Sequence, residues 1–145
     1  MIDINNEIKQ AMLAKDSVSL ASLRAVKSAF IVAQTEKDAK DLDEAGQQKI
    51  ILKQVKQRKD AAAIYIEQSR QDLADDELAQ IAVLEKFLPK QMSSGEIEAV
   101  VNEVIQSTGA SSMADMGKVM GMANKQLAGK ADGKLIAELV KKSLS

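Results

Sequence analysis

The chain has 145 residues, a formal net charge of −1 at pH 7, no cysteine and no histidine. That length accommodates one domain or two small helical subdomains. The near-neutral balance argues against a nucleic-acid binder or membrane-surface protein driven by bulk charge alone. Without cysteine there is no disulfide framework or thiolate chemistry, and without histidine the commonest general base and metal ligand is missing. A Ser–His–Asp triad and the usual zinc sites are therefore excluded, and no catalytic residue, cofactor or metal is expected. Hydrophobic residues make up 46% of the chain, enough to build a core. Aromatics are limited to Phe30, Tyr65 and Phe87. A core made from Leu, Ile, Val, Ala and Met belongs to packed helices rather than to a β-sandwich.

Helical periodicity runs throughout. Ile4, Ile8 and Met12 predict a short first helix entered at Asp3. Ser17 is the expected N-cap of a second helix, with Leu20, Leu23, Phe30 and Ile31 as its buried stripe. Lys37 to Glu44 reads as a loop, and a long third helix follows with Ile51, Val55, Ala62, Ile66 and Ser69 on one face. Arg70 to Asp72 marks its end, and a fourth helix runs from about Leu73 through Leu78, Ile81 and Leu84 to Leu88. Pro89, the only proline, disfavours helical dihedrals at Leu88. Ser93 with Glu96 then supplies a capping signal ahead of Ile97, Val100, Val101 and Val104.

A break followed at once by a new start divides the chain into residues 1–92 and 93–145. The second part changes character: Gly109, Gly117, Gly121, Gly129 and Gly133 lie there, against Gly46 alone in the first 92 residues. Gly109 is placed for a left-handed C-cap. Ser112 and Asp115 open a short helix carrying Met113, Met116, Val119 and Met120. Asp132 caps a last helix with Leu135, Ile136, Leu139 and Val140 inside and Lys141 and Lys142 near its negative end. The expected fold is all-α, a multihelical N-terminal subdomain followed by a small three-helix bundle. No apolar stretch approaches membrane-spanning length, and Asp3, Asn5, Asn6 and Glu7 interrupt any signal-like run. No membrane association and a cytoplasmic address are expected.

Several motifs invite chemistry and fail on detail. Asp75, Asp76 and Glu77 form the densest acidic cluster, but acid enrichment in the first turn of a helix explains them without a metal. The run Gly129-Lys130-Ala131-Asp132-Gly133-Lys134 departs from a phosphate loop in spacing. Leu135 stands where a hydroxyl would bind magnesium, and no strand precedes it. Gly117 and Gly121 form a GxxxG pair, which in a non-membrane helix usually allows close packing. Met113, Met116, Met120 and Met122 read first as core, and secondarily as an adaptable partner surface.

The basic residues are more informative by position. Lys49, Lys53 and Lys56 project together away from the apolar face of the third helix, as a solvated face would. Arg58, between Val55 and Ala62, and Lys27, between Leu23 and Ile31 beside Arg24, lie at the apolar stripes. A cation there snorkels, pairs with an acid or serves a ligand, and structural ion pairing is the favoured use.

The stretch QRKDAAAIYIEQSRQDLADDELAQIAVLEKFLPKQMS (57–93) resembles the YqeY family, as do LRAVKSAF (23–30) and GASSMADMGKVMGMANKQLAGKADGK (109–134). The likeness runs essentially the whole chain. Its specific elements are Arg58, Arg70-Gln71-Asp72-Leu73, Leu88-Pro89 and Lys130-Ala131-Asp132-Gly133-Lys134. YqeY proteins are similar to the tail of GatB, the B subunit of the aspartyl/glutamyl-tRNA amidotransferase, a helical appendage that contacts tRNA while catalysis lies elsewhere. The resemblance implies two helical subdomains and kinship to a tRNA-handling module. A carbon–nitrogen ligase activity with glutamine as amido-N-donor belongs to the larger relative, whose catalytic core this sequence lacks.

The leading expectation is thus a stand-alone, non-catalytic module associated with tRNA or translation. Its basic residues are Arg24, Lys27, Lys53, Lys56, Arg58, Lys118, Lys125, Lys130 and Lys134. With so few aromatics for base stacking, RNA contact would be electrostatic and directed to shape. Lys118, Lys125, Lys130 and Lys134 flank the Gly-rich turns, where amides at the start of the last helix are expected to add phosphate donors. The alternative is a protein–protein adaptor for a translation or stress factor, using the Met-rich second subdomain or the acidic Asp75–Glu77 turn.

Overall fold

Short polar side chains set most of the helix starts. The computed structural model describes residues 1–36 and 41–145. Asp3 accepts from the Asn6 N–H at 3.1 Å and opens α1, Ile4–Leu13. Asp16 opens α2, Ser17–Thr35, taking the Ser19 N–H at 3.0 Å and the Ser19 hydroxyl at 2.6 Å. The expected cap at Ser17 therefore moves back one residue: an ionised carboxylate outcompetes a hydroxyl for the free amides. These two bonds hold the Asp16 carboxyl below its ordinary pKa, the Ser19 hydroxyl contributing most.

Asp43 caps α3, Glu44–Glu67, through the Gly46 N–H at 2.8 Å. Of the loop expected at 37–44, residues 37–40 lie outside the described residues, and Glu44 already belongs to α3. α4 spans Gln71–Glu85, two residues earlier than expected, so Asp72 is the first-turn acid and Asp75, Asp76 and Glu77 fall in the second turn. Arg70 grips Asp72 with two hydrogen bonds of 3.1 Å, raising its own pKa and lowering that of Asp72.

α1 and α2 pack as one hairpin and α3 and α4 as another, with α2 touching both helices of the second. Both hairpins turn in the same way. The Asp16 N–H reaches the Ala11 carbonyl at 3.0 Å and the Arg70 N–H reaches that of Tyr65 at 2.8 Å. Each bond closes over a left-handed residue, Lys15 at φ 55° and Ser69 at φ 58°. These are Schellman endings made without glycine. Ser69, expected on the apolar face of the third helix, is instead the residue that reverses the chain.

The first compact unit, Met1–Pro89, is built on Val26, Phe30, Ile51, Val55, Ile81 and Leu84. Several apolar residues that carry the helical period are exposed: Met12 at 55%, Ile31, expected in the buried stripe of the second helix, at 49%, Ile66 at 52% and Leu78 at 45%. In α2 the buried face runs through Ser22, Leu23, Val26 and Phe30, which turns Ile31 about 100° away at one residue's rotation. In α4 the buried positions are Ala74, Ile81 and Leu84, leaving Leu78 at the margin. Ile66 lies beyond Ala62, the last buried position of α3.

The second unit is Lys90–Ser145. α5, Ser94–Thr108, starts at Ser93, whose hydroxyl accepts from the Glu96 N–H at 3.2 Å and donates to the Glu96 carboxylate at 3.1 Å. It ends at Gly109, left-handed at φ 68°, as expected. A 3-10 turn, Met113–Asp115, leads into α6, Met116–Gln126, and α7 follows at Gly133–Leu144. The three α-helices pack pairwise around Ile97, Val101, Val104, Val119, Ile136 and Val140. Residues 90–92 belong to this unit rather than to the first: the Met92 N–H donates to the Lys130 carbonyl at 2.9 Å and the Gln91 amide to the Gly129 carbonyl at 2.7 Å. The described residues form helices and no strand, so the fold is all-α.

Candidate nucleic-acid interface

In the second unit the sequence from Met116 to Ala131 contains Lys118, Lys125 and Lys130 and no carboxylate. Val119 and Ala123 are the buried positions of α6. Lys118 and Lys125, seven residues apart, therefore share an outward side and stand about 10 Å apart along the axis. Both are exposed. The bounding acids are committed elsewhere: Asp115 accepts from the Ser111 N–H at 3.0 Å, and Asp132 accepts from the Lys134 N–H at 3.3 Å.

Lys130 sits in a turn with a fixed backbone and an exposed side chain. Its N–H donates to the Leu127 carbonyl at 2.9 Å, its carbonyl is held by Met92, and the preceding Gly129 has φ 73°. Lys134 is exposed in the first turn of α7. Of the amides expected to meet a phosphate at this helix start, that of Lys134 is taken by the Asp132 carboxylate, whose charge opposes an anion there.

The GxxxG pair is also corrected. Gly117 and Gly121 are exposed, and a Cβ at either would meet nothing within 4 Å. The pair therefore serves no packing among the described residues. The methionines divide: Met116 and Met120 pack against the core, whereas Met113 and Met122 remain 42% and 37% exposed.

The first unit scatters its basic residues. Arg24 and Lys53 are exposed, and Lys27 and Lys56 are half-buried. Arg58 is half-buried and is the most tightly held. Its Nη1 donates to the Gln54 side-chain oxygen at 2.6 Å and to the Gln54 carbonyl at 3.2 Å, and its Nε donates to the Gln80 side-chain oxygen at 3.1 Å. The favoured ion-pair role for Arg58 is thus replaced by two glutamines: Gln54, one turn earlier on α3, and Gln80 on α4, a partner that periodicity cannot reveal because it comes from a different helix. Gln47 was missed for the same reason: buried in α3, it accepts the Ile2 N–H at 3.1 Å.

The acidic cluster does not converge. Asp75 takes the Gln71 amide at 2.7 Å, and among the described residues no group of three or more acids is placed to hold a metal. No helix among the described residues is long and apolar enough to cross a membrane.

The sequence profile of a family described as "Yqey-like protein" matches residues 2–144. The chain belongs to this family. Two curated relatives of the YqeY chain are named "Altered inheritance of mitochondria protein 41, mitochondrial". One, from Kluyveromyces lactis, is 32% identical over 105 residues, 70% of this chain and 56% of the relative. The other, from Vanderwaltozyma polyspora, is 29% identical over 125 residues, 80% of this chain and 66% of the relative. The YqeY chain thus spans little more than half the length of the first of them. A third relative, from Thermococcus sibiricus, is named as a glutamyl-tRNA(Gln) amidotransferase subunit. It is 39% identical over 57 residues, 37% of this chain and 9% of the relative.

The kinship to an amidotransferase expected from the sequence is therefore shown for a small part of that relative only. The cytoplasmic address is overturned, because the relatives that cover most of the chain are named as mitochondrial proteins. Lack of cysteine and of long apolar runs does not distinguish the cytoplasm from the interior of an organelle.

Proposed function

We propose that this YqeY chain is a non-catalytic module that contacts folded tRNA through phosphate, with its principal contact on α6 and the turn that follows. The observation that carries the reading is the acid-free run Met116–Ala131 with Lys118, Lys125 and Lys130 on the surface of a packed bundle. Phosphate contact by lysine requires no aromatic platform, which suits a chain with three aromatic residues. The similarity to part of a tRNA amidotransferase supports the choice of tRNA. The open face at Gly117 and Gly121 lets a ligand backbone approach α6 closely. Arg24 and Lys53 supply exposed positive charge on the first unit.

The test is a titration of tRNA and of an unstructured RNA of equal length at low and moderate salt. Tighter binding of tRNA at low salt that weakens as salt rises supports the reading. The exposed Met113 and Met122 favour a second reading, a protein adaptor. Absence of RNA binding at either salt transfers the case to it.

A further inference from the structure

Arg58 is a half-buried cation whose partners are neutral, and the way they are used has a chemical consequence. A guanidinium has only donors, so Gln54 and Gln80 must each present a side-chain oxygen to it. Each amide is then left with its Nε2 group, and no hydrogen bond from either is made among the described residues. On Arg58 itself, Nε and Nη1 are used and Nη2 is not. Each glutamine oxygen keeps a second lone pair, and the nitrogen donors left unused in the cluster are two amide groups, one on α3 and one on α4, and the Nη2 of the guanidinium. No carboxylate among the described residues lies within salt-bridge distance of Arg58.

We propose that Gln54, Arg58 and Gln80 form a binding site for a single phosphate group. Donors supplied from two helices match a tetrahedral oxyanion, whose oxygens do not share a plane, better than a flat carboxylate. Arg58 is already oriented by its glutamines, so little of its rotamer freedom is lost on binding. Asp76 and Glu77 lie one turn earlier on α4 than Gln80. Their charge limits the site to one compact anion and opposes a run of backbone phosphates. The site is consequently distinct from the lysine face of α6 and does not depend on the tRNA reading.

The experiment follows the side-chain amide resonances of Gln54 and Gln80 and the Nε–H of Arg58 in the intact ¹⁵N-labelled chain. Sodium phosphate is added against sodium chloride of equal ionic strength, and adenosine monophosphate is added in a second arm. The expected result is saturable movement of these three signals with phosphate and none with chloride. Equal midpoints for the two probes identify free phosphate as the ligand, and a tighter midpoint for the nucleotide identifies a terminal phosphate. Arg58→Lys keeps the charge but loses the fork, and is expected to weaken binding at least about tenfold. Gln80→Glu keeps an acceptor for Arg58, so the fold is retained, while its carboxylate neutralises the cation and is expected to abolish the phosphate response. Signals that do not respond to either probe overturn the proposal, and so does an unchanged phosphate response in Gln80→Glu.

Discussion

Ser69→Gly is expected to stabilise the protein, although it removes a side chain and adds none. Ser69 turns the α3–α4 hairpin at φ 58°, where an L-residue is strained by about 1–2 kcal/mol. Its side chain is exposed and makes no hydrogen bond, so little is lost with it. Glycine returns part of the gain through the greater freedom of the unfolded chain, about 0.5–1 kcal/mol. The net is a stabilisation of about 0.5–1 kcal/mol. In a unit the size of Met1–Pro89 that corresponds to a midpoint rise of about 2–8 °C. The control is Gly109→Ala in the second unit, which closes the same kind of turn, the Ala110 N–H reaching the Ile105 carbonyl at 3.2 Å. A Cβ there meets no neighbour within 4 Å, so the cost is backbone strain of about 1–2 kcal/mol, offset by about 0.5–1 kcal/mol from the stiffer unfolded chain, a net destabilisation of about 0.5–1 kcal/mol. Urea unfolding monitored by circular dichroism measures both changes. A loss of stability in Ser69→Gly, or a neutral Gly109→Ala, would refute the account of these turns.

Leu84→Ala, at a fully buried position of the first core, is expected to lose about 2–5 kcal/mol in the same assay, and a loss below about 1 kcal/mol would mean that Leu84 is not enclosed. Asp16 is expected to titrate below the ordinary 3.8 because its carboxylate form accepts the Ser19 hydroxyl and N–H. Its contribution to stability is therefore present above the unfolded pKa and is lost as pH falls through the lower folded value. Carboxyl NMR gives the midpoint directly, and one at or above 3.8 contradicts the cap. The fragment 90–145, which has its own core, is expected to unfold cooperatively when expressed alone, and a non-helical circular dichroism spectrum would show that it depends on the first unit.

Local signals in the sequence are legible because their physics is local. Asp3, Ser93, Gly109 and Asp132 act within four residues of themselves, and each stands at the helix end that its chemistry implies. Periodicity is less exact about which side chains are inside. Ile31, Ile66 and Leu78 are apolar and correctly spaced, but the burial of a helix edge depends on how far the neighbouring helix reaches. The surroundings of Arg58 are illegible for a stronger reason: Gln80 is distant in sequence and polar, and nothing in periodicity selects a polar partner. The two hairpin turns are also hidden, because Lys15 and Ser69 carry no glycine to announce a left-handed residue.

The central claim, phosphate contact through the lysines of α6 and its following turn, is tested most directly by the salt dependence of tRNA affinity. Wild-type protein is compared with a chain in which Lys118, Lys125 and Lys130 are replaced by glutamine. All three side chains are exposed, so the fold is expected to survive the substitutions. Removing one lysine–phosphate pair lowers the slope of log affinity against log salt by roughly 0.7–0.9. If all three lysines reach phosphate, the wild-type slope is expected to be steeper by about 2–3. Equal slopes and equal affinities in the two proteins would contradict the claim.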